Sequence, residues 1–371
     1  MKIRLRLLLG LLAFSLIFIS SCSVKKKAIG NEDDIIVVAD SSLYYEVEPE
    51  LLQVFEKIVY TPQPENLFNL QRKDYVELNR IKTRKNIIIL GTLADSGYVS
   101  QYIRKSLDSN VTRMIQDNQE YVINKYNLWA DGQLVMYLVS PTVEQLKKNI
   151  LSGHEQLLYS FRNISDKRLF AKLYSPKYEK VETEAKLLHD YNWVIYIPKH
   201  FEVGKNSPED NFVWLRGGRK TPVEKWIFIH WIDNANPDYL NKDSIIAIRN
   251  RITQKFFTTT DNTEYVEISN DFSEPMFSEV NFDSRYAIMT QGFWRFNDKS
   301  GGGPFISYSF LDQKTGRFYM IDGSIYAPKY YKKELIQQVD VLLNSFRTSD
   351  ELSDEKKAEL LDNYKSDEKN K

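Results

Sequence analysis

Asn86-Ile87-Ile88-Ile89-Leu90-Gly91-Thr92-Leu93 and Trp226-Ile227-Phe228-Ile229-His230-Trp231-Ile232 decide how this chain reads. Each is a near-continuous apolar run of strand length, which suits a buried central strand. Around the first run lie a β-rich run at 35–39, helical spacing over 45–58 and a strand pattern at 67–71. A helix is expected over 98–118, with Tyr102, Ile103, Leu107, Val111, Met114 and Ile115 on its apolar face. Strands at 120–127 and 133–139 follow, then a helix that starts at Pro141 and runs to about 161.

The second half repeats that order. Strands are expected at 193–197, 211–216 and 226–232, then a helix over 244–257 with Asp243 as its N-cap. Strands at 264–269, 287–296 and 305–311 come next, and the last turns back through 312–316 into 317–322 as a hairpin. A final helix follows Pro328 and ends Leu342-Leu343-Asn344-Ser345-Phe346, much as the first half ends Leu157-Leu158-Tyr159-Ser160-Phe161. The matching order predicts an α+β protein of two similar tandem domains, an internal duplication. Each domain is expected to be a mostly antiparallel sheet with helices packed on one face. The first domain is placed at 34–166, a charged linker with Pro176 at 167–186, and the second domain at 187–348. Residues 349–371 are dominated by Asp, Glu and Lys and read as a disordered, solvated tail.

The amino terminus carries an address. Lys2, Arg4 and Arg6 precede an apolar run over 7–19 that is too short to span a bilayer, so 1–21 reads as a signal peptide. Ile19-Ser20-Ser21-Cys22 resembles the bacterial lipobox, in which the cysteine is lipidated and becomes the mature amino terminus. Cys22 is the sole cysteine, which leaves none for an intrachain disulfide. A lipobox cysteine carries a diacylglyceryl group and an amide-linked chain such as palmitate, and several acyl chains hold a protein stably on a membrane. Ser23 at the next position favours the outer membrane, and the late acidic residues Glu32, Asp33 and Asp34 favour the periplasmic face over the cell surface. Residues 22–33 are expected to form the lipidated tether, with Lys25, Lys26 and Lys27 beside headgroups. Removal of 1–21 takes three basic and no acidic residues, leaving a net charge of about −3 that argues against nucleic acid as a partner.

Gly292-Phe293-Trp294-Arg295, Gly302-Gly303-Pro304-Phe305, and Tyr326-Ala327-Pro328-Lys329 with Lys332-Lys333 resemble a Bacteroidota envelope lipoprotein family, domain of unknown function 4837. Arg84-Lys85-Asn86-Ile87-Ile88 and Leu128-Trp129-Ala130 with Gln133 resemble its first-half signatures. The resemblance implies a cell-envelope address and a two-part organisation; it brings no assigned activity and no catalytic residues.

Chemical motifs are sparse. His154-Glu155 opens like a zinc-protease helix, but the position that needs the second histidine is Leu158. Gly301-Gly302-Gly303-Pro304 lacks the lysine and helix of a phosphate loop and reads as a tight turn or bulge between strands. His230, within an apolar strand, reads as a core group. No metal, cofactor or catalytic residue is assigned. The candidate ligand or partner surface is Trp214, Arg216, Arg219, Trp231, Trp294 and Arg295, because indole faces edged by guanidinium groups suit sugars or extended peptides. Trp226 and Trp231, five apart on one strand, should face opposite sides. The expected role is non-catalytic, binding or scaffolding an envelope protein. The alternative is a glycan- or peptidoglycan-binding protein, or a glycan-acting enzyme that uses cleft carboxylates.

Overall fold

The computed structural model describes residues 25–61 and 63–369; the signal segment 1–21 and Cys22 lie outside them. The chain divides into two compact units. One holds the chain up to Glu56 together with Phe68–Ile164; the other holds Lys57–Leu67 and the chain from Ser165 onward.

In the first unit β1 (Asp34–Val38) leads into α1 (Ser41–Phe55); the chain then forms the hairpin β2 (Ile58–Tyr60) and β3 (Pro64–Asn66), which belongs to the second unit, and re-enters the first at β4 (Asn69–Lys73). Then come α2 (Leu78–Ile81), β5 (Asn86–Thr92), α3 (Tyr98–Ser106), α4 (Ser109–Gln116), β6 (Val122–Tyr126), β7 (Leu134–Ser140), α5 (Val143–Ser152) and α6 (His154–Leu173). The sheet order is β4-β1-β5-β7-β6. The pairs among β4, β1, β5 and β7 are parallel, and β6 alone is antiparallel to its neighbour. This corrects the expected antiparallel sheet. Parallel neighbours need long crossovers, and helices such as α1, α3 and α4 fill them here. All seven residues of β5 are buried. Ile36, Ile87, Ile89, Val135 and Tyr137 pack with Val99, Ile103 and Ile115 of α3 and α4. Ile35, Val37, Ile88, Leu90 and Met136 alternate with them and are equally buried, so the sheet is covered on both faces and not on one. The single helix expected over 98–118 is two, because Asp108 turns outward and caps α4 by accepting from Asn110 N and Val111 N.

The amino edge of this sheet, where β5 and β7 begin, is welded by one side chain. Gln133 is fully buried; its Nε2 donates to Lys82 O and Arg84 O, both at 2.7 Å, and its Oε1 accepts from Trp129 N at 3.0 Å. The expected tether docks onto this edge. Ala28 N donates to Asp131 O and Ile29 N to Thr83 O, both at 2.8 Å, while Lys25 Nζ reaches Asn127 O at 2.6 Å. The chain from Lys25 onward is therefore part of the first unit, which corrects the reading of 22–33 as free tether over its described residues.

The second unit contains α7 (Val181–Tyr191), β8 (Trp193–Val194), β9 (Phe201–Ser207), β10 (Phe212–Gly217), β11 (Glu224–Ile232) and α8 (Lys242–Phe256). It continues through β12 (Val266–Ser269), β13 (Met276–Phe282), β14 (Arg285–Phe296), β15 (Gly302–Asp312), β16 (Arg317–Tyr326), α9 (Lys333–Leu343), β17 (Arg347–Thr348) and α10 (Asp354–Lys369). Its eight-stranded sheet runs β12-β14-β15-β16-β11-β10-β9, with β13 also on β14, and it is antiparallel throughout. The two-domain α+β expectation holds, but two sheets of such different topology are not copies of one unit.

Both faces of this sheet are covered as well. Ile245, Ile248 and Ile252 of α8 pack on Phe228, Phe305 and Met320. Val339 and Leu343 of α9 pack on Ile321, Ile325 and Phe310 from the other side. Gly323 lets α9 approach, since a Cβ there would lie 2.1 Å from Val339 Cγ1. Arg249 crosses from α8 to the sheet: its Nε donates to Asp322 Oδ2 at 2.7 Å and its guanidinium lies 3.6 Å from the centre of the Phe305 ring. Asn241, and not Asp243, caps α8, accepting from Ser244 N at 2.9 Å. Glu65 of the β2–β3 hairpin caps α9, accepting from Lys332 N at 2.9 Å and Lys333 N at 3.2 Å.

Two boundary expectations are overturned. The proposed linker at 167–186 is mostly α6 and α7, with Leu169 and Ala185 buried beneath charged outer faces. The proposed disordered tail at 349–371 contains α10, whose fully buried Leu360 packs on Ala185, Leu188 and Val194. Leu361 and Tyr364 flank it, and Tyr364 stacks on His189 at 4.2 Å. A few apolar residues on one face suffice because α7 supplies the complementary surface. Leu360→Ala should lower unfolding stability by about 2–5 kcal/mol, read as an earlier urea midpoint; a solvated tail would leave the midpoint unchanged.

Candidate functional site

The chain leaves β1 towards β4 on one side and returns to β5 on the other, so β1 and β5 flank a topological switch point. In open parallel sheets a crevice forms there, outside the carboxyl ends of the strands. Three strand exits meet at this edge: Asp40 after β1, Asp74 to Val76 after β4, and Asp95 to Tyr98 after β5.

The exits are tied together by the chain's own carboxylates. Asp40 sits at the N-cap of α1, yet its Oδ2 accepts from Val99 N of α3 at 3.0 Å. Gly97 permits that approach, because a Cβ there would stand 2.2 Å from the same oxygen. Asp95 Oδ1 accepts from Gly97 N at 3.1 Å, and Asp95 N donates to Thr92 Oγ1 at 3.2 Å. Arg104 holds the turn from outside through Leu93 O at 3.0 Å and Asp95 O at 2.6 Å. Arg72 pairs with Asp74 and lies 5.8 Å from the ring centre of Tyr45. Tyr75 packs on Tyr102 at 5.5 Å, and the Tyr102 hydroxyl lies 3.4 Å from that of Tyr137, whose acidity burial suppresses. Above this floor Tyr45, Tyr98 and Val76 stand 61%, 73% and 83% exposed.

The electrostatics select the ligand class. Two amides at the start of α3 that would welcome a phosphate already donate to Asp40 and Asp95, and the guanidinium groups of Arg72 and Arg104 are taken up by Asp74 and by the carbonyls of Leu93 and Asp95. An anion is disfavoured. A neutral, hydroxyl-rich ligand can use the carboxylates as acceptors and the tyrosine rings as flat apolar contacts. A shallow depression of about 650 Å³ beside it, lined by Arg104, Leu107, Thr112 and Arg113 among others, is too open to enclose a small molecule.

The surface expected from the sequence is not assembled. Trp214, Arg216 and Trp294 share the α8 face of the second sheet, but they pack among themselves and with Trp226. Trp226 lies 6.1 Å from Trp214 and 4.9 Å from Trp294, centre to centre. Arg216 is held by Glu224 at 2.9 and 2.8 Å, and Glu224 also accepts from Trp226 Nε1. Trp231 is buried on the opposite face beside Tyr191 and Trp193, as the strand alternation required for it and Trp226. Arg295 is bound by Glu267 and Asp271, and Arg219 pairs with Glu202 in an exposed loop. These are packing residues and surface ion pairs, not one cleft.

His230 is buried and neutral: burial pushes it down to about 4, its Nδ1 lies 2.9 Å from Asn211 O, and its Nε2 has no partner. Among the described residues no group of three or more His, Cys, Asp or Glu is placed to hold a metal ion, and no helix is long and apolar enough to cross a membrane.

The signature motifs of the second half also prove to be packing. Gly292 faces Phe305 across β14 and β15, Phe293 faces Pro304, and Trp294 faces Gly303. Each glycine yields to a neighbour: a Cβ on Gly292 would lie 2.9 Å from the Phe305 ring, and one on Gly303 2.0 Å from Ile325 O. Residues 180–345 match the family described as Domain of unknown function (DUF4837). The match spans most of the second unit, called the DUF4837-matching domain, or DUF4837 domain, after it. Residues 28–173, including the Arg84 to Ile88 and Leu128 to Gln133 motifs, match a different family, Domain of unknown function (DUF8532). Two families for two topologies agree with the absence of duplication. No curated protein matches the chain. Among solved structures, the Saccharomyces cerevisiae Ran-binding protein Mog1p aligns at 10% identity and a TM-score of 0.28, over 44% of this chain and 93% of its own. A mutant Mog1 aligns at 9% identity and 0.28, over 43% and 91%. Likeness at that level carries no argument for the DUF4837 domain or its neighbour.

One buried acid of the DUF4837 domain gives the protein a pH signature. Burial pushes Asp340 up to about 6, opposed by the Tyr308 hydroxyl, which donates to it at 2.6 Å, while Asp166 nearby pushes further up. The unfolded chain releases this proton near 3.8. The contribution of Asp340 to stability therefore falls as pH rises from about 4 to about 6, by at most about 1.4 kcal/mol per pH unit, and is level above. Asp340→Asn should remove that decline in urea titrations; an unchanged slope would contradict it.

Proposed function

We propose that this is a lipid-anchored protein of the bacterial cell envelope, held at the outer membrane through Cys22 and facing the periplasm, that binds its partner without transforming it. The anchor is supported by the lipobox-like tetrad, and the binding role by the carboxyl edge of the first sheet. That edge joins a switch-point crevice to exposed tyrosines, yet its carboxylates already serve as fixed acceptors for backbone amides. Groups so engaged are suited to holding a ligand in place.

Within this role we favour a glycan as the ligand over an envelope protein. The observation that favours it is the pairing of tyrosine faces with hydrogen-bond acceptors and the shortage of free donors for an anion.

Labelling cells with an alkyne analogue of palmitate should mark the wild type and not Cys22→Ser, with the variant released from the membrane fraction. The labelled protein should be retained on isolated peptidoglycan sacculi, and Tyr45→Ala/Tyr98→Ala should reduce retention several-fold. Loss of label with no change in fractionation would contradict the anchor. Retention that ignores both tyrosines would contradict the site.

A further inference from the structure

The lipid-bearing residue and the docked chain are close in covalent terms. Between Cys22 and Lys25 there are three peptide links, which reach at most about 11 Å fully extended. From Lys25 the chain is fixed to the amino edge of the first sheet: Lys25 Nζ on Asn127 O, Asp131 N on Lys26 O at 2.9 Å, Ile29 N on Thr83 O at 2.8 Å. An anchor on so short a lead brings that edge to the bilayer surface.

The edge has the chemistry of such a surface. Lys25, Lys26, Lys27, Arg84 and Lys125 are all exposed on the segments that meet there, against the exposed acid Asp131. Lys82 lies 5.6 Å from the ring centre of half-buried Trp129, a cation and an indole side by side as at membrane interfaces. Exposed apolar side chains stand among them: Ile29 is 55% exposed and Tyr126 49%. Basic residues next to a lipid anchor add attraction to anionic headgroups, and aromatic side chains settle at headgroup depth.

We propose that the amino edge of the first sheet is a membrane-docking face that lies against anionic lipid headgroups, with Ile29, Tyr126 and Trp129 at the interface and Lys25, Lys26 and Arg84 around them. The inference rests on the lipidation of Cys22 proposed above. Its consequence is an orientation. Strands β1, β4 and β5 run from this edge to the tyrosine-rimmed one, and seven residues of β5 span roughly 23 Å. The crevice of the first unit therefore opens away from the bilayer.

Lipidation occupies the only native thiol, so an introduced cysteine is uniquely addressable. Full-length lipidated Tyr126→Cys and Val76→Cys proteins, labelled with a fluorophore and reconstituted in phosphatidylglycerol-containing vesicles with headgroup-depth spin-labelled lipid, read the two edges separately. The expected result is at least a twofold loss of fluorescence at position 126 and none at position 76. Circular dichroism confirms that each variant is folded, and a label at Ile29→Cys repeats the reading if position 126 does not tolerate substitution. Equal quenching at both positions, quenching at 76 alone, or none at either while the protein floats with the vesicles overturns the docking face and leaves the anchor standing. Failure to float, with no acyl mass on Cys22, overturns both.

Discussion

The buried amide of Gln133 is the interaction on which the amino edge of the first domain depends. It satisfies three backbone groups from two chain segments, Lys82 and Arg84 before β5 and Trp129 before β7. Left bare, a buried carbonyl or amide there would cost about 1–3 kcal/mol, and the N-terminal segment docks on the neighbouring groups of Thr83, Asn127 and Asp131. By fixing both loops against each other, one side chain presents the edge that the segment from Lys25 onward extends.

The DUF4837 domain is held differently. Arg249 and Asp322 form an ion pair buried to 1% exposure on each side, with Ser324 bonded to both. Burial raises the affinity of Asp322 for its proton, and the guanidinium and Ser324 pull it back. Such a pair adds little net stability, but breaking it strands a charge at a cost of about 3–5 kcal/mol, so it sets where α8 sits along the sheet. With glycines facing aromatic rings across β14 and β15, the family motifs are accounted for by a tightly filled interior. The free edges and loops are left to carry any contact with other molecules.

How far the sequence led follows from which signals are local. The apolar runs at 86–93 and 226–232 announce buried strands, and both are central, with helices on either side. Strand direction and adjacency are not local: β1, β4 and β5 lie side by side though over fifty residues separate the first from the last, and nothing in their composition says they run parallel. The six proposed surface residues do not form one surface: residue type alone groups them, while strand alternation puts Trp231 on one face of the sheet and Trp294 on the other. α10 was misread because a single fully buried leucine in a charged segment looks solvated until α7 is placed beneath it. The crevice was missed because its parts are 39–45, 72–76 and 92–98. A strand followed at once by aspartate, at Asp40 and near Asp95, was the available signal, and Gly97 after the second of them marked the close approach.

The central claim is polarity within the first domain: anchor at the amino edge, ligand crevice at the carboxyl edge. It stands or falls on whether the N-terminal segment is docked. Native-state amide hydrogen exchange of the mature protein reads this directly, because Ala28 N–H and Ile29 N–H donate to Asp131 O and Thr83 O. The account predicts protection of both amides at least a hundredfold beyond an unstructured chain. Exchange at the unstructured rate would mean a free tether, and the orientation of the domain on its membrane would no longer follow.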